Sequence, residues 1–348
     1  MDTFPLLCEL MGLPGPTGQE HRVTAWLRDC WTGRAERVWT TRVGNVLAHI
    51  GGQGPKLLLQ AHADEIGFVV RSIDANGFLW LTSGQGSSDP TKRFPVGQPA
   101  LVLGRDEPIE GLFATGTGHV LSESQRQKDK LDYSDLFIDI GASSRDEVLA
   151  RGIHVGAGVI WNPPARRMGT RIYGKAIDDR VSLAVMTLLL EALDPATLAY
   201  DLYFAATVQE EIGLVGASSL RMDVDADLAI ALDNGLVGDI PTVGEREMPT
   251  ELGRGPTLVH KDAMTHYDYD LTWRLADLAE QHGIPSQHGV YERFGTDGGA
   301  LIRQGIPTVL VAPATRYTHS AFEMIDERDV DATFQLMMAF VTTPTPHR

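Results

Sequence analysis

Acidic and imidazole side chains recur in five short segments that are far apart along the chain. The segments are AHADEIG at 61–67, GKAIDDR at 174–180, VQEEIGLVGA at 208–217, ALDNG at 231–235 and TRYTHS at 315–320. Taken alone, each is explained as simply by solvated acids, a helix cap or a surface histidine. Their occurrence together in one chain favours a metal-dependent hydrolase.

Five side chains in these segments form a ligand set of nitrogen and oxygen donors: His62, Asp178, Glu211, Asp233 and His319. Such a mixed set suits zinc, cobalt or manganese better than calcium or magnesium. A pair of metal ions needs a carboxylate that contacts both, and Asp178 can serve. Two neighbouring ions can activate a water molecule and polarise a carbonyl group together.

Two further acids can support the chemistry. Glu210 and Glu211 are adjacent at the end of a predicted strand, where neighbouring side chains point in different directions. One of them can therefore bind metal while the other acts as a general base. Asp64 lies two residues after His62 and points the same way, so it can hold the imidazole in the tautomer that binds metal.

The surrounding elements alternate between helix and strand. Hydrophobic spacing predicts helices over 20–31, 179–193, 267–282 and 327–341, and strands over 36–41, 45–50, 56–60, 201–209, 227–233 and 306–312. In an open α/β sheet, sites form at the carboxyl ends of the strands. The acidic and imidazole residues fall at such positions, which indicates an α/β catalytic domain.

The segment 67–161 differs from the rest of the chain in composition and hydrophobic pattern. Glycine and proline recur every few residues, and β-rich pieces such as FVVRSI, FLWLTS, PALVLG and LFIDIGA replace long helical patterns. This predicts a small all-β domain, residues 67–161, inserted into a catalytic domain formed by residues 1–66 and 162–348.

Bulk composition excludes several classes of protein. The chain has 348 residues and a net charge of −16, so its surface repels phosphate backbones and nucleic-acid binding is not expected. Its two cysteines, Cys8 and Cys30, are too few for a disulfide framework and fit a reducing compartment. The apolar run 183–190 is too short to span a bilayer, and the first residues do not resemble a signal peptide. We expect a cytoplasmic protein without membrane contact.

In content and order, the five segments resemble the M42 family of metallo-aminopeptidases. The family pattern is similar to AH-x-DEIG, GKA-x-DDR, QEE-x-G-x-x-GA, an aspartate after a hydrophobic strand, and a late RY-x-HS. Further similar segments are LFIDIGASSRDE at 136–147, GRGP at 253–256, GTDGGAL at 295–301 and TRYTHSAFEMI at 315–325. The resemblance covers essentially the whole chain.

The resemblance implies a fold, a cofactor and partners. The fold is a mixed sheet with helices on both faces, as in zinc-peptidase-like catalytic domains, with an inserted small β-barrel-like domain through which subunits associate. The implied cofactors are two divalent metal ions per subunit, zinc first and cobalt or manganese as alternatives. The implied partners are short peptide substrates and further copies of the chain, in homo-oligomers from dimers to dodecamers.

It also implies a role for each candidate residue. Asp178 would contact both metal ions, His62 and Asp233 would complete one site, and Glu211 and His319 would complete the other. For the chemistry, the resemblance makes Glu210 the general base that takes a proton from the attacking water and delivers it to the leaving amine. It makes Asp64 the residue that orients His62, and it implies a cis peptide bond between Asp178 and Asp179.

Some alternatives stay open on sequence alone. An amidohydrolase or deacetylase would use the same ligands, and a non-catalytic protein could keep the fold. A glycoside hydrolase would use Glu210 and Glu211 as its acid and nucleophile. This is disfavoured, because the carboxylates of such an enzyme face each other about 5–9.5 Å apart across a sugar, whereas adjacent side chains on a strand point in different directions. The role of His119, which aligns with a histidine of the family's inserted region, is open. The preferred first residue is open too, with Arg254, Lys261 and Arg293 as candidates to favour acidic side chains.

Overall fold

The computed structural model describes residues 2–85, 95–126 and 131–344. The helices are α1 Phe4–Gly12, α2 His21–Trp31, α3 Glu123–Arg126, α4 Arg145–Ala150, α5 Ile177–Ala192, α6 Tyr269–His282, α7 Asp297–Arg303 and α8 Glu327–Thr342, with 3-10 turns at Pro195–Thr197 and Ala217–Met222. The strands of the first half are β1 Arg37–Thr40, β2 Val46–Gly51, β3 Lys56–His62, β4 Phe68–Ile73, β5 Leu79–Ser83, β6 Pro99–Leu103, β7 Pro108–Ala114, β8 Phe137–Asp139 and β9 Gly158–Trp161. Those of the second half are β10 Arg166–Met168, β11 Arg171–Gly174, β12 Asp201–Thr207, β13 Leu228–Leu232, β14 Gly235–Leu236, β15 Thr257–Lys261, β16 Gln287–Val290, β17 Thr308–Ala312, β18 Ala314–Arg316 and β19 Glu323–Asp326.

The main sheet has eight strands in the order β1-β2-β12-β3-β13-β17-β15-β16. Its centre, β12, β3, β13 and β17, is parallel, whereas β2 and β15 run antiparallel to their neighbours β12 and β17. The expected mixed α/β architecture is therefore confirmed. Parallel central strands bring their carboxyl ends to one edge of the sheet, which is where the site lies.

Helices cover both faces of this sheet because successive side chains of a strand point to opposite faces. Leu57 and Leu59 of β3 pack into the large core formed with α1, α2, α5, α6 and α8. Leu58, between them, packs on the opposite face with Leu220 of the 3-10 turn and Leu301 of α7. A continuous apolar strand is thus the expected signature of burial on both sides.

Strands β4 to β9 form a closed barrel in the order β4-β5-β8-β7-β6-β9, and they extend along the chain from Phe68 to Trp161. Phe68 is at its centre, with ring centroids 5.1 Å from Phe113 and 5.0 Å from Trp161. The barrel has its own core, separate from that of the main sheet. The assignment of 67–161 as a separate association domain stays a prediction.

A second sheet, β10-β11-β19-β18-β14, supports the remaining site residues. Strand β11 leads into α5, and its Gly174 is paired with Glu323 of β19. This antiparallel pairing brings the beginning of α5 beside the loop between β18 and β19. Two distant parts of the sequence thus meet at the edge of the main sheet.

No helix among the described residues is long and apolar enough to cross a membrane. Cys8 and Cys30 are both free thiols.

Candidate metal centre

The predicted site residues converge at the carboxyl edge of the main sheet. His62 is the last residue of β3, and Asp233 directly follows β13. Glu210 and Glu211 follow β12, which lies on the other side of β3. Three neighbouring parallel strands therefore deliver four of the predicted side chains to one place.

The backbone adopts left-handed torsion angles at or near several of the site residues. Strand β12 ends at Thr207, and Gln209 adopts a left-handed φ of 55°. The premise that Glu210 and Glu211 extend a strand is therefore wrong, since the predicted strand 201–209 stops two residues earlier. Ala176, two residues before Asp178, also has a positive φ of 55°, and His319 itself has a φ of 60°.

Asp178 lies between the two histidines. Its Oδ1 is 2.9 Å from Nε2 of His62, and its Oδ2 is 3.6 Å from Nε2 of His319. The peptide bond from Asp178 to Asp179 is cis, and Asp178 has non-helical torsion angles at the beginning of α5. One carboxylate thus presents a separate oxygen to each imidazole.

Each histidine has a further carboxylate beside it. Oδ1 of Asp233 lies 4.0 Å from Nε2 of His62, and Oε1 of Glu211 lies 3.3 Å from Nε2 of His319. The ligand atoms of His62, Asp178 and Asp233 lie within 4.8 Å of one another, and so do those of Asp178, Glu211 and His319. These two triads share Asp178, and they are the two ligand sets that the family resemblance implies.

Glu210 is 8% exposed and belongs to a third such triad with His62 and Glu211. Its carboxylate therefore lies next to both ligand sets. Burial raises the pKa of Glu210 well above its ordinary value, and the nearby carboxylates of Asp233 and Asp297 raise it further. A carboxylate with a raised pKa is suited to accept a proton near neutral pH.

Asp64 is fully buried and organises its surroundings through both oxygens. Oδ1 lies 3.4 Å from Nδ1 of His62 and accepts the backbone N–H of Glu210 at 3.0 Å. Oδ2 accepts the N–H of Glu211 at 3.1 Å and the hydroxyl of Thr17 at 3.0 Å. The residue predicted to orient His62 therefore also fixes the backbone that carries the two glutamates.

The charge balance of the cluster calls for cations. Burial raises the pKa of Asp233 well above its usual range, and the neighbouring Asp178 carboxylate raises it further. Burial by itself lowers the pKa of His319, but the neighbouring carboxylates, Glu211 first and then Asp178 and Glu323, together outweigh this and raise it to about 10. The carboxylates thus favour positive charge between them, which protons or metal ions can provide.

The donor set fits divalent metals. Oε1 of Glu211 is buried with no hydrogen-bond partner, and it points at the His319 imidazole beside Asp178. Imidazole nitrogens and carboxylate oxygens in two closed triads are the ligands that zinc, cobalt and manganese accept. The residues present therefore fit divalent metal ions of this kind.

Sequence reasoning missed two supporting carboxylates. Glu323, which is 2% exposed, accepts the N–H of Asp178 at 2.8 Å and that of His319 at 3.1 Å. Asp297, in the GTDGGAL segment, accepts hydrogen bonds from Gln60 at 2.6 Å and Thr207 at 2.5 Å, tying α7 to β3 and β12. Both residues lie in segments that resemble the family, but only their three-dimensional partners reveal what they hold.

The basic residues proposed for substrate preference, and His119, lie outside the metal-ligand triads. Arg254 is 71% exposed and faces Glu251 at 3.4 Å. The ammonium group of Lys261 donates to the backbone carbonyl of Asp262. Arg293 and His119 are exposed, the latter in a turn that follows β7. None of them belongs to the metal-ligand triads of the described residues.

Known proteins are similar to this chain in both sequence and fold. The lysyl aminopeptidase of Pyrococcus furiosus is 29% identical over 351 residues, which cover 99% of this chain and 99% of the relative. The solved structure of the aminopeptidase APDkam598 from Desulfurococcus kamchatkensis superimposes with a TM-score of 0.92 at 31% identity, covering 99% of this chain and 95% of that one. The Pyrococcus horikoshii TET1 peptidase, which can assemble into a tetrahedron or a large octahedral shell, gives a TM-score of 0.87 at 25% identity and covers 98% of this chain and 99% of its own.

The sequence model of the M42 glutamyl aminopeptidases matches residues 44–336, a range that includes every candidate ligand from His62 to His319. The chain belongs to the M42 family of aminopeptidases.

Proposed function

We propose that this protein is a two-metal aminopeptidase that removes residues from the amino terminus of short peptides. The observation that carries the proposal is the position of Asp178, whose two oxygens face His62 and His319 separately. Each histidine is completed by one more carboxylate, from Asp233 or Glu211. A single shared carboxylate between two such triads is the arrangement that a pair of metal ions requires.

His62 and Asp233 would hold one ion, Glu211 and His319 would hold the other, and Asp178 would belong to both ligand sets. When bound, such ions would supply Lewis-acid chemistry, which polarises a carbonyl group and lowers the pKa of water. Zinc is the ion we favour, with cobalt or manganese as alternatives for the same donors.

Glu210 is the general base of this proposal. It is buried beside His62 and Glu211, and its raised pKa lets its carboxylate take a proton from water and later give it to the leaving amine. Asp64 holds the backbone of Glu210 at 3.0 Å, so the base is positioned by a group that is itself buried.

A glycoside hydrolase fits the geometry poorly. The carboxylates of Glu210 and Glu211 both approach His62, since the three ligand atoms lie within 4.8 Å of one another. The two carboxylates therefore do not face each other across a space for a sugar ring. An amidohydrolase would use the same ligands and is distinguished by its substrates.

The test is metal analysis of the purified protein combined with a panel of aminoacyl-anilides, acetylated lysine and cello-oligosaccharides, with and without a chelator. We expect two divalent ions per chain and hydrolysis of anilides that the chelator abolishes and added zinc, cobalt or manganese restores. Turnover of acetyl-lysine alone would favour the amidohydrolase, and chelator-resistant turnover of the oligosaccharide would favour the glycosidase. A chain that binds fewer than two ions at full activity would refute the two-metal mechanism.

A further inference from the structure

Two histidines lie side by side on the last two strands of the main sheet, away from the metal centre. Nε2 of His260 in β15 lies 2.8 Å from Nδ1 of His288 in β16, and the two rings are stacked with centroids 5.0 Å apart. A hydrogen bond between two imidazoles needs one nitrogen that donates and one that accepts, so at least one ring is neutral and offers a lone pair. Neutral imidazole is the commonest metal ligand among the side chains, which makes this pair a candidate for ion binding.

The backbone of the two strands fixes the position of the pair. Leu258 of β15 is paired with His288, and the register of the two strands shifts between Val259 and Lys261. His260 is therefore the extra residue of a bulge, which bends its strand and redirects the side chain. Strand β15 is also paired with β17 on its other side, so the strand that carries His260 is held along both edges.

A tryptophan packs against both imidazoles. The ring centroid of Trp273 in α6 lies 5.7 Å from that of His260 and 5.3 Å from that of His288. The ring of Tyr269, one helical turn earlier, contacts the indole with centroids 6.1 Å apart. Trp273 is 41% exposed, and His288 is exposed as well. The two imidazoles are thus held by a neighbouring ring and remain accessible to an ion from solvent.

The separation of the two nitrogens favours one coordination geometry. A bond from metal to imidazole nitrogen is about 2.0 Å long, so two such nitrogens are roughly 2.8 Å apart at a right angle and roughly 3.3 Å apart at a tetrahedral angle. The observed distance of 2.8 Å matches the right angle. Right angles between neighbouring ligands occur in the square-planar and tetragonal sites that Cu²⁺ and Ni²⁺ prefer, and Cu²⁺ binds more tightly than Ni²⁺ to a given set of ligands.

The pair is separate from the metal centre. Asp233 follows β13, and β16 lies three strands further along the sheet, roughly 14 Å away at the usual spacing of strands. Because β15 runs antiparallel to β17, His260 lies towards the amino ends of the parallel strands, whereas the predicted ligands lie at their carboxyl ends. Among the described residues, neither histidine belongs to a triad of possible ligands. An ion held here would therefore take its other ligands from water.

We propose that His260 and His288 form an additional metal site that takes a divalent ion of tetragonal preference, Cu²⁺ before Ni²⁺, with water in the remaining positions. The site does not depend on the proposed aminopeptidase function, because it shares no residue with the metal centre. Trp273 orients the two imidazoles and lies close enough to report on the bound ion.

The experiment titrates CuCl₂ into the full chain after its metal centre has been loaded with zinc. Bound Cu²⁺ quenches the fluorescence of a nearby indole, and comparison with Trp273→Phe isolates this residue among the six tryptophans of the chain. We expect saturable quenching in the wild type that Trp273→Phe lacks. His260→Asn and His288→Asn should each lose most of this quenching, because one imidazole alone no longer chelates the ion. His282→Asn, at the exposed end of α6, is the matched control and should be quenched like the wild type.

A second readout does not depend on fluorescence. Copper bound by two imidazoles gives an electron paramagnetic resonance spectrum that is split by their nitrogens. Copper that replaces zinc at the metal centre contributes equally to the wild type and to His260→Asn, so the difference between their spectra belongs to the pair. Trp273→Phe should keep this difference spectrum even though it loses the quenching.

Equal quenching and equal spectra in the wild type and both histidine variants, with each variant shown to be folded by circular dichroism, would overturn the proposal. Quenching that persists in Trp273→Phe would also overturn it, because the copper would then bind beside another tryptophan. Hydrolysis of aminoacyl-anilides should be the same in His260→Asn and the wild type, and a loss of activity would show that the pair is not separate from the metal centre. A protein that hydrolyses no anilide but shows the copper signal would refute the proposed function and leave this inference intact.

Discussion

Asp64 shows how much of this site depends on residues that would never touch a substrate. Its two oxygens accept the N–H groups of Glu210 and Glu211 and lie against the ring of His62. One buried carboxylate thereby contacts the proposed general base and two of the proposed metal ligands. Such supporting groups orient ligands and tune their affinity for metal.

We predict that Asp64→Asn weakens metal binding by about 10- to 100-fold and lowers kcat as well. The amide keeps the shape but replaces one acceptor oxygen with a donor, which then opposes either a backbone N–H or the imidazole. The measurement is metal occupancy in competition with a chelator. Asp277→Asn, at an exposed position of α6, serves as the control. Unchanged metal affinity in Asp64→Asn would contradict the supporting role.

Glu210→Gln should behave differently. We predict that kcat falls by about 10²- to 10⁴-fold because the amide cannot accept the proton, while both metal ions remain bound. Metal analysis and anilide hydrolysis measured on the same preparation check this. Glu280→Gln, an exposed glutamate of α6, should retain full activity. A Glu210→Gln enzyme with wild-type turnover would show that another group is the base.

Residue types and order were enough to predict which side chains come together, because His, Asp and Glu at strand ends are typical of metal sites; that they bind metal stays a prediction. Glu323 could not be identified in this way. It acts through the backbone N–H groups of Asp178 and His319, and such a contact depends on the pairing of β11 with β19. Sequence spacing does not predict which carboxylate will accept hydrogen bonds from backbone N–H groups far away in the chain.

At the scale of elements, the junction of β3 with the beginning of α5 is held by buried charges. The ammonium group of Lys175 lies 2.9 Å from both oxygens of Glu65, which also accepts the N–H of Gly15 at 2.9 Å. Burial lowers the pKa of Lys175, and the Glu65 carboxylate opposes this by raising it. The pair connects the segment after His62 to the segment before Asp178.

Lys175→Met should lower the free energy of unfolding by about 3 kcal/mol, because the buried Glu65 carboxylate loses its cation at 2.9 Å and keeps only the Arg180 guanidinium at 3.6 Å. Replacing both residues, as Glu65→Gln with Lys175→Met, should recover part of the loss. Urea unfolding followed by circular dichroism measures both. Lys56→Met, at an exposed position of β3, is the control. A Lys175→Met loss no larger than that of the control would refute the structural importance of the pair.

The first turn of α8 gives a pH-dependent prediction. Burial raises the pKa of Asp329 to about 7, although the N–H groups of Gly253 and Gly255 each donate to it at 2.7 Å. The folded protein therefore binds this proton more tightly than the unfolded chain, so the contribution to stability is complete below about pH 4 and is lost as the pH rises through 7. Asp329→Asn should thus gain stability relative to wild type between about pH 5 and pH 8. Urea midpoints at the two pH values that shift equally in both proteins would contradict this.

Elements with strong periodicity were predictable, and those defined by tertiary contact were not. The predicted helix 20–31 corresponds to α2, and Gly283 ends α6 in a left-handed conformation, as its position suggested. The edge strand β16, with the sequence QHGV, lacks the apolar pattern of a strand and is held by its pairing with β15. The early end of β12 depends on the conformation of Gln209, which no local pattern indicates.

At the scale of the whole molecule, the barrel exposes apolar side chains that association would cover. Leu112 is 58% exposed, Val120 is 78% exposed and Val155 is 60% exposed. The P. horikoshii TET1 peptidase, which shares this fold, assembles into closed shells. We therefore expect this chain to self-associate through the barrel.

Leu112→Glu should reduce the mass of the assembly measured by light scattering after size exclusion, because a charge in an apolar contact loses water without a partner. Met222→Glu makes the same kind of change at a residue that is 82% exposed outside the barrel and should leave the mass unchanged. Equal masses for wild type and both variants would show that the contact lies elsewhere.

The order of the ligands along the chain has a consequence for biosynthesis. His62 precedes the barrel strands, Asp178 follows them, and His319 comes near the end of the sequence. During translation, the barrel strands and most strands of both sheets are therefore synthesised before the last imidazole. A nascent chain from which His319 has not yet emerged lacks one of the proposed ligands, so hydrolysis of the proposed kind would begin only after this residue has been synthesised.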